Sequence, residues 1–183
     1  GILGQNGLLE KQALGNGKFA GLRQLLPLGY GKCRLSIAVP HDFDYQSIES
    51  LNGKVIATSY KGLLAKYLVD RKIDADIVTM EGAVEVAPRT HLADVICDLV
   101  STGSTLVSNG LVEKDIILQS QAVLVTNQID GPEIAALAEK VTSRIKAVLR
   151  AENSRYIMLN SPIDSLEAIK AVLPGSQSPT VMP

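Results

Sequence analysis

In the nine residues DLVSTGSTL (98–106), a carboxylate, four hydroxyls and a glycine follow one another directly out of an apolar run, VICDLV (95–100). An anion cradle needs that order. A strand that ends in Ser101, Thr102, Gly103, Ser104 and Thr105 offers hydroxyls and successive backbone N–H groups, and a helix beginning there aims the positive end of its dipole at the same spot. Gly103 lets the backbone approach an anion and take a positive φ without steric cost. Asp98 stands three residues ahead of Ser101, where a carboxylate cannot help a phosphate but accepts hydrogen bonds from sugar hydroxyls. The pattern points to a phosphorylated ribose. Ser and Thr also favour ST turns and helix caps for purely structural reasons, so a capped helix with no ligand fits the same residues.

A second carboxylate, Glu85, lies thirteen residues before Asp98. In a parallel α/β unit both can face the crevice above the sheet edge, where a ribose diol held between them would present C1′ to a nucleophile. Glu85 equally suits the first turn of a helix, where the dipole favours an acid. Arg89 and Lys54 could screen a second phosphate, or serve as surface cations.

Composition narrows the partners. With Lys+Arg 18 against Asp+Glu 19 in 183 residues, the net charge of −1 argues against a nucleic-acid or membrane surface, and an aromatic content of 4% without tryptophan leaves little for base stacking. No apolar run approaches eighteen residues and no signal-peptide layout opens the chain, which begins at Gly1 in what reads as the end of a buried strand, as if inside a longer polypeptide. Two cysteines and two histidines are too sparse for a zinc site or a disulfide framework; reduced thiols in a cytoplasmic protein are the simpler reading.

The elements that would position these residues follow from period and punctuation. Residues 5–30, with glycine turns at Gly15, Asn16, Gly17, Lys18 and at Gly29 and Gly31, show no clean period and read as a connector. Strands are expected at 34–40, 54–58, 76–80 and 95–100. Leu63, Leu64, Tyr67 and Leu68 mark a helix from Lys61 to about Ile73. A helix over 83–93 contains Pro88 and is expected to be either short or broken near Ala87, and a short helix over 106–111 follows the hydroxyl loop. This alternation predicts a parallel α/β sheet with ligands at the carboxyl ends of its strands. Residues 115–126 read as one long strand crossing between two lobes and pairing with the 34–40 strand. A helix over 133–153 begins at Asp130, Gly131 and Pro132; Ile134, Leu137, Val141, Ile145 and Val148 form a packing face, with Arg144, Lys146 and Arg150 on a solvated one. A strand at 155–160, a helix at 163–173, a stop at Pro174 and Gly175, and an extended run at 179–182 read as the βαβ-like start of another module.

Four segments, LNGKVIATSY (51–60), GAVEVAPR (82–89), LADVICDLVSTGSTLVSNGL (92–111) and RYIMLNSP (155–162), resemble the ATP phosphoribosyltransferase family of histidine biosynthesis. The resemblance implies an α/β, two-lobed, periplasmic-binding-protein-like (type II) fold with a parallel or mixed sheet in the second lobe. In that scheme residues 1–30 end an incomplete first lobe and connect onward, 31–120 form the second lobe with the phosphoribosyl loop, 121–153 return to the first lobe, and 154–183 start a ferredoxin-like regulatory domain. It implies a transferase joining N1 of the ATP adenine to C1′ of phosphoribosyl pyrophosphate, with Mg2+ on the departing pyrophosphate, inhibition by histidine, and a cytoplasmic homo-oligomer, dimeric or hexameric. Carried over, Ser101, Thr102, Gly103, Ser104, Thr105 and Leu106 hold the 5′-phosphate, while Asp98 and Glu85 take the ribose hydroxyls and stabilise the oxocarbenium character that builds at C1′. Tyr60 and Lys54 border the nucleotide, and no side chain is assigned as a metal ligand. Residues 1–183 alone are expected to show neither turnover nor a response to histidine. Two other classes share features: type I phosphoribosyltransferases, which carry two adjacent acids where this chain has Cys97 and Asp98, and non-catalytic two-lobed solute-binding proteins.

Overall fold

The computed structural model describes residues 1–15, 21–127, 131–152, 155 and 157–173. Asn16, Gly17, Lys18, Asp130, Tyr156, Pro174, Gly175 and the run 179–182 lie outside them. The chain divides into two compact units, Gly1–Ile145 and Lys146–Pro183.

The larger sheet of the first unit is built from β3 (Cys33–Pro40), β4 (Val55–Thr58), β5 (Asp76–Thr79), β6 (Val95–Val100) and β7 (Leu111–Ser120), in the order β5-β4-β6-β3-β7. Strands β4, β5 and β6 run parallel, and β3 runs antiparallel to both β6 and β7. The sheet is therefore mixed, where the alternation of elements alone predicts a parallel one. The reason is the link from β3 to β4: it holds one 3-10 turn, Ile48–Leu51, and no crossover helix. A chain that makes no crossover re-enters the sheet at the edge it left, so β4 reverses direction. Alternate residues of β3 divide the core, with Leu35, Ile37 and Val39 packing with Leu64, Tyr67 and Leu68 of α2 (Lys61–Arg71), and Ala38 packing with Val100, Leu106 and Leu111.

A second sheet of the same unit has the order β1-β8-β2, all antiparallel, from β1 (Ile2–Gly4), β2 (Arg23–Pro27) and β8 (Ala122–Thr126). The expected single strand over 115–126 is thus two, broken at Gln121: β7 pairs with β3, the partner expected from sequence, and β8 belongs to the other sheet. The chain crosses from one sheet to the other there. β1 is an edge strand with Ile2 exposed, not a buried one.

Residues 5–30 are also more than a connector, since they hold α1 (Gln5–Ala13) as well as β2. The helix hid from its own pattern because two of the three residues it buries, Asn6 and Glu10, are polar. Glu10 replaces a cap that α2 lacks: its Oε1 and Oε2 accept the N–H groups of Gly62 and Leu63, each at 2.8 Å, in the first turn of α2. Those N–H groups have no partner within the helix, and the dipole favours an acid there. Glu10→Gln keeps the size but turns an amide NH2 toward one of the two N–H donors; chemical denaturation of the variant is expected to show a loss of roughly 1–3 kcal/mol, the cost of one buried unsatisfied donor.

The segment over 83–93 forms no α-helix. It is a 3-10 turn, Val84–Val86, bracketed by Ala83 and His91 in the left-handed region, because Pro88 cannot continue an i to i−4 ladder. The short helix after the loop, α3 (Ser104–Ser108), starts earlier than the apolar pattern suggests, and Leu111 already opens β7.

The long helix α4 (Pro132–Glu152) forms where its pattern places it, yet none of its residues is buried. Leu137 is 58% exposed and Val141 42%, so the expected packing face is not covered. Period reports amphipathicity, not the presence of a partner. In the second unit, Arg155 and residues 157–160 are irregular where a strand is expected, with Ile157, Met158 and Leu159 exposed. No strand among the described residues pairs with them, and an isolated strand has no ladder to complete. A 3-10 turn, Ile163–Ser165, leads into α5 (Leu166–Val172).

Candidate functional site

Parallel strands β4 and β6 end at one edge of the larger sheet, with Thr58 opposite Cys97. There the chain opens a cleft lined by Glu85, Asp98, Leu99, Val100, Ser101, Thr102, Gly103, Thr105 and Leu106. Gly103, at φ +86°, is the residue before α3, and its left-handed backbone turns the loop from strand into helix. Any residue with a Cβ would be strained in that conformation. Leu106 is buried among Ala38, Val100 and Leu111, which anchors α3 beneath the loop. The hydroxyls of Thr102 and Ser104 lie 3.0 Å apart and bond to one another, and Ser104 itself does not line the cleft.

The two carboxylates proposed from sequence meet here, although one comes from a strand and the other from the Val84–Val86 turn. Asp98 is half-buried and its Oδ1 accepts the N–H of Leu99 at 2.8 Å. Burial pushes its carboxyl above the ordinary value, and the neighbouring charge of Glu85 adds to the rise, against the pull of the Leu99 N–H. A carboxylate in that state gains from any donor that approaches it, which is what a sugar diol supplies. Beneath, the Cys97 thiol is buried and pushed well above its ordinary range by desolvation, so it is a core residue and not a nucleophile.

Tyr60 follows the carboxyl end of β4, at the same edge as Asp98, but does not line the cleft. Its hydroxyl accepts a hydrogen bond from Asn6 Nδ2 at 2.8 Å, and Ser120 Oγ donates to Asn6 Oδ1 at 2.8 Å. Lys54 precedes β4 and so sits at the opposite sheet edge, its Nζ 5.8 Å from the centroid of the Phe43 ring. The fold does not bring it to the cleft. Arg89 is exposed on the turn after Glu85 and is not a lining residue either.

Four side chains near this edge carried no signal in the sequence. Arg34 of β3 reaches the carbonyl of Ser101, Glu113 of β7 holds Arg34, and Asn6 with Glu10 ties α1 to Tyr60 and α2. Charged residues on strands look like solvated faces until the pairing partner is known.

The ATP phosphoribosyltransferase family profile matches residues 1–147 and that of the family's C-terminal domain matches residues 151–183. The chain belongs to the ATP phosphoribosyltransferase family. An ATP phosphoribosyltransferase of Maricaulis maris (strain MCS10) is 44% identical over 182 residues, which is 99% of this chain and 62% of that protein, so the chain spans under two thirds of that curated relative's length. Among solved structures, the ATP phosphoribosyl transferase (HisG:HisZ) complex from Thermotoga maritima superposes with a TM-score of 0.65 at 27% identity, covering 82% of this chain and 70% of that one. XAC2383 from Xanthomonas citri, bound to ATP, gives 0.56 at 15% identity (92% and 67% covered), and holo ArgBP from T. maritima 0.52 at 17% (86% and 64%). Those two share the fold alone, the α/β fold of periplasmic binding proteins. The ATP phosphoribosyltransferase match encloses both sheets of the first unit and every residue of the cleft. Among the described residues no helix is long and apolar enough to cross a membrane.

Proposed function

We propose that the chain is the phosphoribosyl-binding part of an ATP phosphoribosyltransferase, which condenses ATP with phosphoribosyl pyrophosphate to phosphoribosyl-ATP and pyrophosphate at the head of histidine biosynthesis. The observation that carries this is that Asp98 and Glu85 line one cleft together with Ser101, Thr102, Gly103 and Thr105 of the hydroxyl-rich loop. In this reading the loop amides and hydroxyls take the 5′-phosphate, Leu106 holds the loop's helix in place, and the two carboxylates take the ribose hydroxyls. The bond from C1′ to pyrophosphate breaks, its electron pair leaves with the pyrophosphate, and adenine N1 forms the new bond to C1′. Positive charge builds at C1′ between the two events. Asp98 and Glu85 lie where a fixed negative field lowers its energy.

Magnesium fits this cleft as a substrate-borne ion. Among the described residues no group of three or more His, Cys, Asp or Glu could hold a metal unaided, while two carboxylates beside hydroxyls suit a cation that keeps waters and substrate phosphates as ligands. When bound, it neutralises the leaving pyrophosphate. Histidine inhibition belongs to the same reading, supported by the match of residues 151–183 to the family's C-terminal domain, and so does a homo-oligomeric state, which rests on the family resemblance. Two free thiols, Cys33 and Cys97, suit the cytoplasm. The alternatives of a type I phosphoribosyltransferase and of a non-catalytic two-lobed solute-binding protein have the loop or the fold in common with this chain, but not the family's motifs.

Titrating isotope-labelled chain with phosphoribosyl pyrophosphate and Mg2+ tests the reading: amide shifts are expected at residues 101–105 and at Asp98. Shifts confined to other parts of the chain would remove it.

A further inference from the structure

Arg34 opens the register between β3 and β6, where it pairs with Val100, the last residue before the hydroxyl loop. Its guanidinium is divided between two tasks. Nε and Nη2 each donate to a carboxylate oxygen of Glu113 at 2.5 Å, and Ser36 Oγ donates to Glu113 Oε1 at 2.7 Å, so the carboxylate is fixed from both sides. Nη1 turns the other way and donates to the carbonyl of Ser101 at 3.1 Å. That carbonyl belongs to the first peptide of the loop. A trans peptide is planar with its C=O and N–H opposed, so holding the Ser101 oxygen toward Arg34 aims the Thr102 N–H away from it. Thr102 lines the cleft and Arg34 does not.

We propose that Arg34, braced by Glu113 and Ser36, is a positioning residue that orients the first amide of the loop toward a bound 5′-phosphate without touching the ligand. The proposal rests on the phosphoribosyl reading of the cleft. The bidentate pairing with Glu113 compensates the guanidinium charge and stiffens it, leaving geometry as what it contributes to the site. An ammonium cannot reproduce that: it has no planar fork to engage a carboxylate with two donors while a third faces the opposite direction. Charge alone is therefore insufficient at position 34, and this separates orientation from general electrostatic attraction.

The test measures phosphoribosyl pyrophosphate and inorganic phosphate binding to the chain and to Arg34→Lys, Arg34→Met and Glu113→Gln, with amide shifts of residues 101–105, circular dichroism and melting recorded for each. Arg34→Lys and Arg34→Met are both expected to bind phosphoribosyl pyrophosphate at least about tenfold more weakly, about 1.4 kcal/mol, with the Thr102 amide displaced in the free protein. Glu113→Gln retains one acceptor and is expected to lose less, while Arg34→Met combined with Glu113→Gln should be no worse than Arg34→Met alone, because the two act as one unit. If Arg34→Lys binds as the parent does, the positioning role falls and the phosphoribosyl reading stands. Weakened binding that accompanies unfolding in all three variants would return Arg34 to a fold-stabilising ion pair. A parent chain whose loop amides ignore phosphoribosyl pyrophosphate removes both readings together.

Discussion

Asp98→Asn is expected to weaken phosphoribosyl pyrophosphate binding at least about tenfold, roughly 1.4 kcal/mol, while leaving the fold as stable as before or more so. The two halves of that result share one cause. Asp98 sits half-buried beside Glu85, and its carboxyl is raised above the ordinary value by desolvation first and by Glu85 in addition. In the pH window between its unfolded and folded values the native state binds more protons than the unfolded chain, so this group's contribution to stability falls as pH rises through that window. Above it the cost is present in full. The asparagine variant carries no such cost, so its melting temperature is expected to equal or exceed the parent's at pH 7 and to converge with it near pH 3.

Ligand binding runs with the opposite sign. Sugar hydroxyls donate to the ionised carboxylate, so parental affinity is expected to rise as pH climbs through the raised Asp98 value, and the variant's profile to lose that rise. Calorimetric titrations of both proteins from pH 4 to 8, with melting curves alongside, check each half. A parental profile with no rise, or a variant melting well below the parent at neutral pH, would make Asp98 a structural residue.

Ile37→Ala is expected to destabilise the first unit by about 2–5 kcal/mol, a large share of the stability of an ordinary domain. Ile37 is fully buried in β3, paired with Cys97 of β6, in the cluster that includes Leu35, Val39, Leu51, Ile56 and Leu64. A strand with neighbours on both sides cannot shift to fill the cavity without moving β6 and β7, and β6 carries Asp98 and the loop. Urea denaturation followed by circular dichroism gives the loss, and Ile37→Val should cost only about 0.5–1.5 kcal/mol, because it removes one methylene. An alanine variant within 1 kcal/mol of the parent would mean that the site collapses freely, contrary to the packing of β3.

Residue type and spacing alone determined a good deal. The hydroxyl loop with its glycine, the strands β3 to β6, helix α2 and the existence of α4 were legible because each is specified by neighbours in sequence: alternation or a 3.6 period, a proline or glycine stop, and turn chemistry with a short reach. The tertiary structure decided the rest. Helix α1 escaped notice because Asn6 and Glu10 are buried on it as polar partners of Tyr60, Ser120 and the first turn of α2, and a hydrophobic period cannot register a buried face made of hydrogen bonds. The direction of β3 depended on whether the chain crosses over or turns back. The break at Gln121 depended on β7 and β8 pairing in different sheets. Lys54 and Tyr60, six residues apart, fell at opposite ends of β4, since a strand carries its two termini to opposite edges of a sheet. Asp98 and Glu85 met in one cleft, and Arg34 found Glu113 from 79 positions away, only once the sheet order was set. Local chemistry is written in local sequence, but which groups face one another is a property of pairing, and pairing is settled by the burial of β3, β4 and β6 against elements far along the chain.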